Sequence, residues 1–209
     1  YSYGQVPAEK IFARSDDDAD VSAAVRDIVA NVQKGGDAAL RRYALQFDKA
    51  QVERLEVSEE ELDAAVASLE PALVELLQEA AVRIRAFHRH QVREGFVVSE
   101  EEGVVLGQKV IPLDRVGLYV PGGTAAYPSS VLMNCIPAKI AGCREIVMVS
   151  PPSRGGDIAP VILAAARIAG VDRVFRKGGA QAVAPLPYGT DTIPKVDKIQ
   201  GQRNPYEAE

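Results

Sequence analysis

Between residues 116 and 199 short β-branched runs alternate with longer segments of helical period. Apolar runs at 116–120, 146–149, 173–176 and 196–199 are separated by helical patterns at 130–141, 158–169 and 180–184. Few folds accept such an alternation. Strands joined in turn by helices run parallel, their crossovers are right-handed, and the helices cover both faces of the sheet. A chain of 209 residues suffices for this, since a domain of that size buries about 70% of the surface its unfolded form exposes.

The first half follows a different pattern. Val21, Val25, Ile28, Val29 and Val32 fall at the 3.6-residue spacing of an amphipathic helix that Gly35-Gly36 ends. Asp37 then caps a second helix through Leu40, Ala44 and Phe47, and "VERLEVS" alternates like a short strand. Ser58 and Glu61 have capping-box spacing ahead of Leu62, Val66 and Leu69. Pro71 opens a longer helix with Leu73, Leu77, Ala80, Ile84 and Phe87 on one side. The segment "GFVVSEEEGVVLGQKV" carries β-branched runs about a turn at Glu102-Gly103, a hairpin leading into the strand at 116.

Charge and composition exclude several classes. The formal net charge of −5 and the lack of any lysine or arginine run argue against nucleic acid as a partner. No stretch approaches the ~20 consecutive apolar residues of a membrane span, and the opening "YSYGQVPAEK" lacks a secretory pattern, so the expected setting is cytoplasmic. Cys135 and Cys143, the only cysteines, read as buried thiols, Cys135 on an inner helix face with Met133, Ile136 and Ile140. Tyr at position 1 and the ending "NPYEAE" lead us to expect a fragment of a longer protein.

In an open α/β sheet ligands bind outside the carboxyl ends of the strands, so the loops after the strands are the ones that carry chemistry. Here they read "PGGTAAYPSS", "SPPSRGGD", "KGGAQA" and "GQRNPY", with glycine in each. Glycine lets backbone approach a ligand, and a helix start beyond it offers N–H groups to an anion. Neither G-x-G-x-x-G nor a P-loop follows any strand. The pattern therefore points to a nucleotide-sized ligand held without the ordinary fingerprint.

Three blocks make the reading more specific. "DRVGLYVPGGTAAYPSSVLMNCIPAKIAGC", "VFRKGGAQAVAPLPYGT" and "PKVDKIQG", in that order, resemble the N-terminal half of the histidinol dehydrogenase family, as does "FHRHQ" with the family's Phe-His-x-x-Gln helix. The resemblance implies oxidation of L-histidinol through L-histidinal to L-histidine, the last stage of histidine biosynthesis, with two NAD molecules reduced in turn. It implies an α/β fold related to aldehyde dehydrogenases: an incomplete Rossmann-like parallel sheet preceded by a mostly helical region with a small sheet. Residues 1–115 would form the helical region with its hairpin, and residues 116–209 a truncated Rossmann-like NAD-binding domain.

The family's NAD contacts carry over to Tyr119, Gln181 and Asn204. Its Glu-His acid–base pair and its zinc ligands, in a homodimer, belong to segments absent from this sequence. No catalytic or metal residue is therefore assigned here. The two histidines, His88 and His90, stand at i, i+2, about 200° apart on a helix, whereas helical zinc pairs use i, i+4. The end also departs from the family's Gly-Pro-Gly-Asn-x-Tyr-Val: Gln202 and Arg203 replace Pro and Gly, and Pro205 follows Asn204. Arginine puts bulk where backbone should approach the ligand. The alternative reading is a catalytically inactive NAD-binding or interaction fragment of the same family.

Overall fold

The structure, a computed structural model, describes residues 22–122, 126–153 and 155–201. Its centre is a sheet of five strands in the order β1-β6-β5-β4-β7: β1 (Glu56–Val57), β4 (Arg115–Tyr119), β5 (Glu145–Ser150), β6 (Arg173–Arg176) and β7 (Lys198–Gly201). β1 is antiparallel to β6; the other pairings are parallel. The alternation expected from sequence is thus present, with β4 and β7 displaced by one or two residues from the runs that announced them.

Strand residues alternate between two cores, as the pleat requires. Val116, Leu118, Ile146, Met148 and Val174 enter one, packed against α2 (Glu59–Ala67), α3 (Pro71–His88), α4 (Pro128–Ile140) and α5 (Pro160–Ala169). Tyr119, Val147, Val149 and Phe175 enter the other, against α1 (Ser22–Tyr43) and the short helices α6 (Ala180–Val183) and α7 (Pro185–Tyr188). Gly117 lies on this second side, where an added Cβ would come within 3.1 Å of both Leu186 and Val196.

Several local expectations shift. Gly36 (φ 48°, ψ −135°) breaks α1 rather than ending it, and the helix resumes to Tyr43 before a π-helical turn at Ala44–Asp48. Asp37 is drawn into tertiary structure: its carboxylate accepts from the hydroxyls of Thr190 (2.6 Å) and Thr192. The capping box at Ser58 and Glu61 forms, with Ser58 N–H donating to Glu61 Oε2 at 2.8 Å and Glu61 N–H to Ser58 Oγ at 3.3 Å. In α3 the buried residues are Leu77 and Ala81, while Leu73 and Phe87 lie exposed because no described element covers that side. Met133 likewise turns to solvent, whereas Cys135 and Ile136 are buried.

The hairpin forms, but outside the main sheet. β2 (Phe96–Val98) and β3 (Leu106–Gln108) pair only with each other, and all of their residues are exposed.

Candidate functional site at the strand ends

The order β6-β5-β4-β7 contains a reversal. From β4 the chain moves outward to β5 and then β6 through α4 and α5 on one face, then returns by α6 and α7 on the other face to place β7 on the far side of β4. Crevices for ligands open where strand order reverses. Here that is the carboxyl end of the β4–β7 pair.

Tyr119, the last residue of β4, sits there opposite Gly201 in register. Gly201 has φ 154°, and a Cβ on it would lie 2.1 Å from the Tyr119 carbonyl oxygen, so no side chain fits. Asn204, together with the altered Gln202 and Arg203, lies outside the described residues.

The glycine loops converge. A Cβ on Gly122, after β4, would stand 3.0 Å from the Pro151 carbonyl oxygen; one on Gly178, after β6, would stand 2.7 Å from Pro151 Cβ and 2.8 Å from Asp48 Oδ1. Three loops and the π-helical turn therefore crowd together at the carboxyl edge. Gln181, 3% exposed, begins its short helix just past the Gly178-Gly179 turn.

Buried polar groups gather beneath this turn. Ser150 Oγ and Asp48 Oδ2 are enclosed without a hydrogen-bond partner among the described residues. Lys177 is fully buried; its Nζ donates to the Leu40 carbonyl and its backbone N–H to the Ser150 carbonyl at 2.8 Å. Burial pushes the Lys177 ammonium down to about 8, against the opposing pull of Asp48. Burial also raises the Asp48 carboxyl above its ordinary value, while the Lys177 charge, the Gln181 side chain and the Gly178 N–H favour its ionised form. Arg176, by contrast, is spent structurally: it pairs with Glu61, lies 3.6 Å from Asp157 and donates to the Glu56 carbonyl at 2.9 Å.

Close backbone, a tyrosine, an amide and unfilled acceptors suit a nucleotide. Zinc does not fit. His88 Nδ1 is engaged with Gln91 Oε1 at 2.6 Å, and among the described residues no group of three or more His, Cys, Asp or Glu could hold a metal. Cys135 is no nucleophile: its thiol lies 3.6 Å from the Ala169 carbonyl, and burial pushes it up to about 12. An open groove of about 430 Å³ lined by His88, Ile111, Pro112, Pro137 and Cys143 lies at the amino ends of the strands, away from the glycine loops.

Sequence reasoning placed Tyr119 and Gln181 at the carboxyl edge but missed Asp48. The signal for Lys177 was its position in the glycine loop itself; for Asp48 there was none, because it arrives from a distant turn.

Comparison with known proteins bears on the family and the fold. The histidinol dehydrogenase family profile matches residues 12–209. Histidinol dehydrogenase of Geobacillus kaustophilus is 52% identical over 185 residues, 88% of this chain and 44% of that protein. The enzyme of that name from Aromatoleum aromaticum is 54% identical over 195 residues, 92% of this chain and 44% of its own. The crystal structure of histidinol dehydrogenase from Elizabethkingia anophelis superposes with a TM-score of 0.86 at 37% identity, covering 90% of this chain and 43% of that one. The chain thus spans a little under half the length of these relatives.

Proposed function

Since the chain belongs to the histidinol dehydrogenase family, we propose that it is the NAD-binding portion of an enzyme that oxidises L-histidinol through L-histidinal to L-histidine. The observation that carries this reading is the convergence of the Gly122, Pro151 and Gly178 loops where the strand order reverses, with Tyr119 and Gln181 at the strand ends. NAD, when bound, supplies the hydride acceptor. The chain's own residues bind and orient: Tyr119, its ring packed in the core behind, fixes the end of β4 at the site edge, the Gln181 amide supplies both a donor and an acceptor, and Asn204 is a further amide after β7 in sequence. Glycine at 178 and 201 lets backbone come close, where any side chain would meet Pro151, Asp48 or Tyr119.

In this reading residues 116–209 supply the strand ends and residues 1–115 the scaffold behind them. Asp48 is the point at which that scaffold enters the site. Zinc and the Glu-His acid–base pair belong to the rest of the family's chain, since no Glu-His dipeptide occurs here, and the whole enzyme is a cytoplasmic homodimer acting on L-histidinol.

A second reading, an NAD-binding fragment without turnover, is favoured by the 44% coverage of relatives such as the Geobacillus kaustophilus protein. The test is to incubate the purified 209-residue chain with NAD, L-histidinol and zinc, following NADH by absorbance and NAD binding by calorimetry. We expect NAD binding without turnover. Zinc-dependent NADH formation would eliminate the fragment reading, and a folded chain that takes up no NAD at millimolar concentration would eliminate the NAD-site assignment.

A further inference from the structure

Neither Asp48 nor Lys177 is among the cofactor contacts that the resemblance implies, yet they lie directly under the turn that presents Gln181. Asp48 closes the π-helical turn that follows α1, and its Oδ1 is so near Gly178 that a Cβ there would approach to 2.8 Å. Its Oδ2 is enclosed and unpartnered among the described residues. Lys177, completely buried, donates from its side chain to the Leu40 carbonyl of α1. Desolvating a carboxylate and an ammonium is costly, and a pair of apolar side chains would fill the same space at less cost. Such a pair is not explained by stability.

Resting on the NAD reading above, we propose that Asp48 is a positioning residue for the cofactor site: wedged beneath the Gly178-Gly179 turn, its carboxylate turns the Gln181 amide, and Lys177 supplies the counter-charge. An ionised carboxylate only accepts, so it holds the Nε2–H side of Gln181 and leaves Oε1 for the ligand. The site then presents an acceptor, suited to a ribose hydroxyl or an amino group. A protonated Asp48 can instead donate to Oε1, and the orientation is lost.

The pH dependence follows with its sign. Cofactor binding falls as pH drops through the raised Asp48 pKa and is kept above it, because the carboxylate stays ionised when Lys177 loses its charge near 8. The charged groups acting on this pair are Arg41 and Asp37, both on α1, and the latter is already held by Thr190 and Thr192.

The experiment is an NAD titration of the 209-residue chain across pH, by calorimetry, for wild type, Asp48→Asn and Lys177→Met. In parallel the Gln181 side-chain amide is followed by ¹H–¹⁵N NMR, assigned by its loss in Gln181→Ala. Asp48→Asn should weaken NAD binding roughly tenfold, the worth of one charge-assisted hydrogen bond, and erase the acid limb of the profile. Lys177→Met should move that limb to higher pH, because the charge that holds the Asp48 pKa down is gone.

The Gln181 amide should shift with acid in wild type and stand still in Asp48→Asn. A folded Asp48→Asn with unchanged affinity and an unchanged acid limb overturns the proposal. Should Asp48→Asn fail to fold, a Gln181 amide in wild type that is indifferent to pH overturns it equally. A wild-type chain whose amide titrates as described but which binds no NAD refutes the cofactor reading alone.

Discussion

The two cores that clasp the sheet and the hairpin that precedes it are built from similar residues with opposite outcomes. Val116, Leu118, Ile146 and Met148 are buried beneath the helices of one face of the sheet, whereas Val97, Val105 and Leu106 stand 73%, 69% and 63% exposed. Both segments have the β-branched composition of strands, so propensity does not separate them. Cover does. A strand in the sheet is buried by the crossover helices that its own βαβ connection supplies, while a two-stranded hairpin has no layer of its own and is at best marginally stable alone. Phe87, Val92 and Ile111, in the segments flanking the hairpin, are exposed as well.

The largest expected effect breaks this contrast directly. Leu118→Ala should cost about 2–5 kcal/mol in urea denaturation, the range for emptying a closed core site, while Val105→Ala in the exposed loop of the hairpin should change stability by less than about 0.5 kcal/mol. Equal losses at the two positions would mean that the hairpin is covered in solution.

Next is a charge effect within the covered region. Lys177 is held near 8 in the folded chain against 10.5 for the ordinary group. Above pH 8 the unfolded state therefore binds more protons than the folded one, and stability rises with pH until the ordinary value is passed. Urea melts of wild type between pH 7 and 10.5 should show this gain, on the order of 3 kcal/mol in full, and Lys177→Met should lack it. A mutant with the same pH slope as wild type would place the lysine in water.

Gly178→Ala should cost about 1–3 kcal/mol, since its Cβ meets both Pro151 and Asp48. Gly103→Ala in the hairpin turn meets nothing within 4 Å and carries only the penalty of its φ of 80°, roughly 1 kcal/mol. Thermal melts of the two variants compare steric with conformational cost. The smallest effect belongs to the exposed Arg83–Glu79 pair on α3, where Glu79→Ala should alter stability by no more than about 0.5 kcal/mol.

Legibility followed the same division. The alternation of periods at 116–199 was enough to predict a parallel sheet, because each helix and strand buries its own face and the pattern records it. The capping box at Ser58 was readable because it is local. The break at Gly36 reads in sequence as an end, since a glycine pair carries no information on whether helix resumes beyond it. Asp37 reads as a cap for the same reason: its partners, Thr190 and Thr192, are supplied by tertiary structure.

The hairpin was legible as a pair of strands, but its isolation was not, because composition does not state which strand will be covered. In the candidate site, Tyr119 and Gln181 came from residue blocks that also mark the strand ends. Asp48 stayed hidden because a turn more than a hundred residues upstream delivers it.

The central claim is that the carboxyl edge around Tyr119 and Gln181 is a cofactor site while the apolar hairpin is not. The most direct measurement is NAD titration of the ¹⁵N-labelled 209-residue chain, with backbone shifts mapped residue by residue. The account predicts saturable shifts at Tyr119, Gly122, Gly178 and Gln181 with none at residues 96–108. Saturable shifts confined to the hairpin or to the groove at the amino ends of the strands, with the carboxyl edge silent, would contradict it.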